Sequence, residues 1–279
     1  MRLLILMAWL VIGSGFGSDA QAQEGSGDLA TAATNPIGSA NQLQFQNTFI
    51  PESENSDGYS NIGVIQPVLS FELPKGGYFE GLVTRITLPI ISTPEVLGDR
   101  DTGTGDTTAL IIPTHTNPGA KPGEFFTWGP IAAVGIPTAS EDRTGAGLWS
   151  LGPGIIGLTN LTYDNGNSLM LGGLGYHQWD IEGEDLNTTS GFPVVIYKFG
   201  TLFGQEGWYV RAPDDLWQYN WTSEEFTQIP VGAFAGRAFQ MGKQPVNVYM
   251  GGWYNAADPD DGTAADYAIK TSFSLVFPK

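Results

Sequence analysis

Tyr267-Ala268-Ile269-Lys270-Thr271-Ser272-Phe273-Ser274-Leu275-Val276-Phe277, close to the end of the chain, alternates with period two. Tyr267, Ile269, Thr271, Phe273, Leu275 and Phe277 fall on one face of an extended strand. Asp266, Ala268, Lys270, Ser272 and Ser274 fall on the other. Successive strand side chains point to opposite faces, so this segment predicts a strand with one oily and one hydrophilic side. In a water-soluble sheet the oily side needs a core. In a transmembrane barrel it meets lipid, and the hydrophilic side is enclosed.

Segments of the same kind recur along the chain, each bounded by Gly, Pro, Asn or Asp, and no long window shows a clean 3.6-residue apolar period. The counts of 38 Gly and 18 Pro also speak against a helical protein. Strands are expected near 42–50, 60–73, 78–90, 106–113, 124–137, 149–163, 167–180, 191–203, 207–219, 225–240, 244–255 and 264–277. The fold class is therefore all-β: a transmembrane, antiparallel, up-and-down β-barrel of about twelve strands, an even number as in single-chain bacterial barrels.

The connections alternate in length. Pro74-Lys75-Gly76-Gly77, Asp164-Asn165-Gly166, Gly204-Gln205-Glu206-Gly207 and Gly242-Lys243-Gln244-Pro245 read as tight turns. Between them lie longer acidic stretches at 51–60, 91–105, 138–148, 181–190, 220–225 and 256–263. Short turns facing the periplasm and long loops facing outside produce this alternation, and the long 114–123 link is its one exception. Aromatic residues mark both ends of the strands. Trp149, Trp179, Trp217, Trp221 and Trp253 adjoin the long loops; Phe125, Phe126, Trp128, Phe203 and Trp208 lie near the opposite ends. Soluble sandwiches also carry strand-end tryptophans, but two populated bands fit a barrel better. Phe126, Trp128, Trp149, Trp179, Trp208, Trp217 and Trp253 are the expected interfacial girdle.

The chain opens with Arg2, a ten-residue apolar run from Leu3 to Ile12, and Ala20-Gln21-Ala22 before Gln23. That is the layout of a cleaved signal peptide over residues 1–22, since a membrane-spanning helix needs about 20 apolar residues. Residues 23–40 are small and polar, and read either as a periplasmic lead or as a plug folded into the lumen. Residues 41–279 form the barrel. The expected location is the bacterial outer membrane. With 29 acidic against 12 basic residues and a net charge of −17, the chain repels nucleic acid, which excludes that partner. It has no cysteine, so neither disulfides nor thiolate metal sites are expected.

Several motifs could carry chemistry. Gly152-Pro153-Gly154-Ile155-Ile156-Gly157 matches G-x-G-x-x-G, but a dinucleotide site needs a helix to start there, and a second strand-like run follows instead. Small residues lining a barrel strand are the better account. The two histidines, His115 and His177, are far apart in sequence and lie near no G-x-S-x-G element. A metal site or a lipid hydrolase is disfavoured, and neither a cofactor nor enzymatic activity is expected. Asp258-Pro259-Asp260-Asp261-Gly262 resembles a calcium loop but lacks its ligand spacing and distal Glu. The other loop acids, Glu52, Glu54, Asp57, Asp99, Asp101, Glu141, Asp142, Glu182, Glu184, Asp185, Glu224 and Glu225, read as a solvated rim. The sharper alternative is that divalent cations bridge them to lipopolysaccharide phosphates. Arg85, Lys198, Arg211, Arg237 and Lys270 fall within strands. A lipid-facing cation at the midplane costs about 2–4 kcal/mol, so all five are expected to line the lumen. There they either favour anions at a constriction or pair with lumen carboxylates to fill a narrow barrel.

A set of ordered words adds a resemblance. Asn35-Pro36-Ile37, Phe45-Gln46-Asn47, Ile65-Gln66-Pro67-Val68 and Thr104-Gly105-Asp106-Thr107 open it. Trp128-Gly129-Pro130, Gly135-Ile136-Pro137-Thr138-Ala139, Trp149-Ser150-Leu151-Gly152-Pro153-Gly154 and Gly242-Lys243-Gln244-Pro245-Val246-Asn247 continue it, and Phe277-Pro278-Lys279 closes it. Over nearly all of residues 23–279 the chain resembles the meta-pathway phenol-degradation outer-membrane protein family, whose members are often described as transporters. The resemblance implies a transporter-like outer-membrane barrel, and it carries no catalytic motif. The terminal aromatic that assists assembly in many such barrels is here Phe277, followed by Pro278 and Lys279.

The expected function is passage of small solutes, aromatic or anionic ones among them, across the outer membrane. The competing classes are a closed structural or surface-binding barrel and, less favoured, an outer-membrane lipid hydrolase. The expected partners are outer-membrane lipid and lipopolysaccharide, the barrel-assembly machinery and a small-molecule solute.

Overall fold

The structure, a computed structural model, describes residues 26–52, 58–95, 99–181, 186–257, 259 and 265–279. The expected signal peptide lies outside these residues, as do the acids Glu54, Asp57, Glu182, Glu184 and Asp185 and most of the calcium-like loop.

A short helix, α1 (Ser26–Thr34), precedes the strands. These are β1 (Asn41–Ile50), β2 (Ser60–Glu72), β3 (Gly81–Ser92), β4 (Thr102–Thr104), β5 (Thr107–Pro118), β6 (Phe125–Ile136), β7 (Ser150–Thr162) and β8 (Ser168–Asp180). Then come β9 (Asn187–Lys198), β10 (Trp208–Arg211), β11 (Trp217–Asn220), β12 (Glu225–Gln228), β13 (Pro230–Met241), β14 (Gln244–Asn255) and β15 (Tyr267–Phe277). Every pairing is antiparallel. β1 pairs with β15 from Asn41↔Phe277 to Phe49↔Ile269, which closes the sheet on itself. β10 with β11, and β12 with β13, each make one interrupted stave, and β4 pairs only with β3. The result is the expected closed barrel of twelve staves.

The tight turns fall where glycine supplies positive φ: Gly166 at 81° in the β7–β8 turn and Gly242 at 65° in the β13–β14 turn. The one exception to the alternation disappears. β5 runs on to Pro118, pairing Asn117↔Phe126, so its link to β6 is only 119–124. His115-Thr116-Asn117-Pro118, polar and ending in proline, is the last part of the strand rather than loop.

Barrel parity sorts the faces. Phe45, Ile65, Leu88, Ile111, Ile155 and Ile269 point outward and are exposed, an apolar belt that only lipid can cover. The inner face departs from the simple expectation of a hydrophilic interior. Gln42, Gln44, Gln46, Thr48, Asn247, Lys270, Ser272 and Ser274, on β1, β14 and β15, make one polar wall. Opposite, β5 to β9 bring in Leu110, Ile112, Ile131, Ile156, Leu158, Met170, Leu174, Phe192, Val194 and Ile196, a buried apolar cluster. Strands such as Leu110-Ile111-Ile112 are apolar on both faces, because one side meets lipid and the other this inner arc.

Candidate functional site

One stave breaks inside the wall. β10 stops at Arg211, β11 starts at Trp217, and Pro213-Asp214-Asp215-Leu216 leaves the ladder between them. Pro213 has no N–H to give a neighbouring strand, and paired acids on a lipid-bounded stave are stable only on the inner side. The segment bows inward and carries both carboxylates into the lumen.

There they meet cations from the wall. Lys270 Nζ donates to Asp214 Oδ1 at 2.9 Å and to Asp215 Oδ1 at 3.2 Å. Arg211 lies 3.1 Å from Asp214 Oδ2, and the Tyr249 hydroxyl donates to the same oxygen at 2.9 Å. The Arg211 guanidinium also sits 5.1 Å from the Tyr249 ring centre. Tyr209 donates to Asn247 Oδ1 at 2.8 Å. Gly236 makes this crowding possible, since a Cβ there would lie 2.4 Å from the Tyr209 ring. Along the polar wall, Gln46 Nε2 donates to Gln44 Oε1 and Gln44 Nε2 to Gln42 Oε1, a ladder that runs down β1. Among the described residues, Asp215 Oδ2 and Trp253 Nε1 are buried without a hydrogen-bond partner.

α1 closes the mouth formed by the short turns. Within Ser26–Thr34, Leu29, Ala30 and Ala33 pack on the inward Ala238 and Val276. Lys198 Nζ donates to Thr31 Oγ1 and to Asn160 Oδ1, both at 2.8 Å, and Gln42 Nε2 donates to the Ala32 carbonyl at 3.0 Å. The helix ends at Thr34, and Asn35, the residue ahead of Pro36, stays out of it, as a residue before proline disfavours helix. Between this plug and the charged cluster, a cavity of about 30 Å³ is lined by Asn35, Gln44, Arg85, Phe192, Asp214 and Tyr249. A cavity of that size has room for a water or two and not for a solute.

The five in-strand cations therefore separate. Arg85, Lys198, Arg211 and Lys270 are placed on the inner face. Arg211 and Lys270 are paired with carboxylates. Arg85 lies 5.7 Å from the Phe192 ring centre, and among the described residues neither it nor Lys198 is in an ion pair. Arg237 does not fit the lumen expectation. It shares a face with Val231, Ala235 and Phe239, and stacks over Trp208 and Phe239 near the short-turn end. Its stem crosses apolar surface while its head reaches the interface and donates to the Glu206 carbonyl at 3.2 Å. Trp253 departs from the girdle expectation in the opposite sense. It points inward and is buried, while its neighbour Tyr254 is exposed. Phe126, Trp128, Trp149, Trp179, Trp208 and Trp217 are on the outer side. The sequence reading missed Asp214 and Asp215. Their signal was a proline followed by two acids in mid-strand.

Other candidates do little. His177 Nδ1 lies 2.8 Å from the Thr189 hydroxyl, which also accepts from Trp221 Nε1. His115 faces Glu80 at 2.9 Å and stacks on Tyr78. Gly152 and Gly154 are mid-strand in β7, followed by more strand and no helix, as expected of wall residues. Asp101 pairs with Arg143, and among the described residues no group of three His, Asp or Glu could hold a metal ion.

No protein-family model matches the sequence, and no curated protein matches it. Among solved structures, an outer membrane channel from Pseudomonas putida F1 is similar, with a TM-score of 0.59 and 13% identity, over 88% of this chain and 98% of that one. The outer membrane phospholipase A of Escherichia coli gives a TM-score of 0.40 at 10% identity, over 86% of this chain and 96% of that one. A calcium-bound Salmonella typhi phospholipase dimer also gives 0.40, at 12% identity over 91% and 98%. The likeness to the channel is one of fold, that of an outer-membrane barrel. The phospholipase fits are too loose to bear on fold or activity.

Proposed function

We propose that the protein is an outer-membrane channel for small solutes, shut at rest by its own N-terminal helix. One observation carries the reading. The short-turn mouth is closed by a separate segment, attached to the barrel covalently at one end, whereas a purely structural barrel fills its lumen with wall side chains. α1 contributes small residues and is held through Lys198 and Gln42. A segment so held can leave without breaking the barrel. Behind it stands a constriction where four cations, Arg85, Lys198, Arg211 and Lys270, outnumber the carboxylates Asp214 and Asp215. That balance favours anionic solutes, and the adjoining apolar arc favours those with an aromatic or aliphatic body. The likeness in fold to a channel, and the resemblance of the ordered sequence words to the phenol-degradation transporters, agree with this reading.

Planar-bilayer recording tests it. The full protein should conduct rarely and a variant lacking residues 26–34 steadily, with liposomes of that variant swelling in arabinose. A folded, plug-less barrel that neither conducts nor admits arabinose would favour the second reading, a closed barrel working through its loops. The small volume of that cavity, about 30 Å³, is the observation in that reading's favour.

A further inference from the structure

Arg85 is a lumen cation that the barrel leaves unmatched. Its cross-strand partners are Val68 on β2 and Leu110 on β5, both buried and apolar, so its own row offers no side-chain acceptor. Among the described residues the guanidinium takes part in no ion pair and no hydrogen bond, and it stands 5.7 Å from the centre of the Phe192 ring. The lumen acids are already engaged. Both oxygens of Asp214 and one of Asp215 are held by Lys270, Arg211 and Tyr249. An arginine carries five N–H donors in a planar fork and keeps its charge, so a guanidinium held away from bulk water calls for an acceptor.

The cavity that Arg85 lines is bounded partly by the plug. Asn35 and Pro36, which directly follow α1, line it, as do Asn247, Phe192 and Val194 from the wall. The last carbonyls of a helix carry a partial negative charge. The end of α1 is therefore a weak stand-in for the anion that Arg85 lacks. With the plug seated, about 30 Å³ remains, room for water alone. Once α1 withdraws with Asn35 and Pro36, the space grows without any change in the wall. What it then offers is specific. The arginine fork matches the two oxygens of a carboxylate. Asn247, its Oδ1 taken by the Tyr209 hydroxyl, has its amide N–H groups left as donors. Phe192 and Val194, beside them, suit an apolar body. A single unmatched cation in such surroundings balances a monoanion better than a multiply charged phosphate.

We infer that Arg85 is the recognition residue for a small monocarboxylate with an apolar body, and that this solute and the plug compete for it. The solute has no room while Asn35 and Pro36 are seated. It binds the unplugged barrel alone and draws the population toward that state. The plug is thus released by the class of solute that the channel passes. The inference rests on the channel reading for a plug that moves, and it adds the solute's charged group and the trigger.

The test reads plug release without measuring current. The chain has no cysteine, so Leu29→Cys puts a single thiol on the face of α1 that packs on Ala238 and Val276. A maleimide reaches that thiol only after the helix leaves. Benzoate, acetate or the neutral benzyl alcohol is added to the full protein, refolded in detergent, at fixed ionic strength. Benzoate at about ten times its dissociation constant for the open barrel should quicken labelling about tenfold. Acetate should need a higher concentration, and benzyl alcohol should change nothing. Arg85→Gln should lose the response while keeping the heat-modifiable mobility of a folded barrel. Arg85→Lys, which has the charge without the fork, should keep a weaker one. Labelling that benzoate does not quicken, a response that survives Arg85→Gln, or an equal response to benzyl alcohol overturns the inference. Failure of the channel reading shows elsewhere: arabinose then does not enter the barrel lacking residues 26–34, whatever benzoate does to labelling.

Discussion

Lys270 and Asp214 meet at 2.9 Å inside the lumen, so β15, next to the end of the chain, holds the bowed segment of a stave three positions away. Both side chains are nearly inaccessible, at 5% and 7% exposure. A buried ion pair adds little net stability over an apolar replacement of the whole, but removing one partner strands the other. Lys270→Met leaves Asp214 with Arg211 and strips Asp215 of its ion-pair partner, and should cost about 3–5 kcal/mol. The triple variant Lys270→Gln/Asp214→Asn/Asp215→Asn keeps shape and hydrogen bonding without charge and should recover most of that. Denaturant unfolding of the refolded barrel in detergent measures both. Equal stability of Lys270→Met and the wild type would mean that the cluster is solvated and the bow is not latched.

Lys198 holds the plug through Thr31 and is among the cations outside the ion-paired cluster. In the barrel lacking residues 26–34 its charge faces the ion path directly. Lys198→Glu in that background should lower the anion-to-cation permeability ratio, read as a shift of reversal potential under a salt gradient. In the full-length protein, Lys198→Met should raise the frequency of openings, because the helix loses one of its polar anchors. Reversal potentials that do not move with the charge at 198 would remove this residue from the conduction path.

What was legible in the sequence follows from period two. Strand number, closure, the short-turn ends and the lipid-facing side of segments such as Tyr267–Phe277 all depend on a local alternation that lipid on one side enforces. Parity could also have placed Arg237 with Val231 and Ala235, and Trp253 opposite Tyr254. The rule that charges point inward, and tryptophans to interfaces, overrode it. The inner apolar arc was not legible because alternation is lost where both faces are oily, as at Ile155-Ile156. The bow was not legible as a site. Pro213-Asp214-Asp215 reads locally as a turn, and only the closed barrel brings Lys270, Arg211 and Tyr249 to it.

The two faces of the wall give a paired test. Ile155 is 61% exposed on the outer face of mid-strand β7, so Ile155→Arg should destabilise the barrel by about 2–4 kcal/mol in a bilayer. Arg237 is also on the outer face but near the short-turn interface, where such a charge costs at most about 1 kcal/mol, so Arg237→Leu should change stability little. Refolding into lipid vesicles under denaturant gives both numbers. A negligible cost for Ile155→Arg would mean that this surface meets water or protein rather than acyl chains.

The glycines of β7 separate a nucleotide-type motif from a packing device. A Cβ on Gly152 would sit 1.6 Å from the His177 carbonyl oxygen on the neighbouring strand, and one on Gly154 would sit 2.5 Å from the Gly175 oxygen. Nothing comes closer than 3.9 Å to a Cβ on Gly157. If these residues serve strand apposition, Gly152→Val pushes β7 off β8 and blocks closure, whereas Gly157→Ala folds as the wild type does. A phosphate-cradling loop would behave otherwise, since its glycines serve ligand approach and their loss leaves the apo fold intact. Heat-modifiable mobility after refolding reads the outcome directly. A folded Gly152→Val barrel would show that the strands can separate here at no cost, contrary to the register Leu151↔Trp179 that now fixes them.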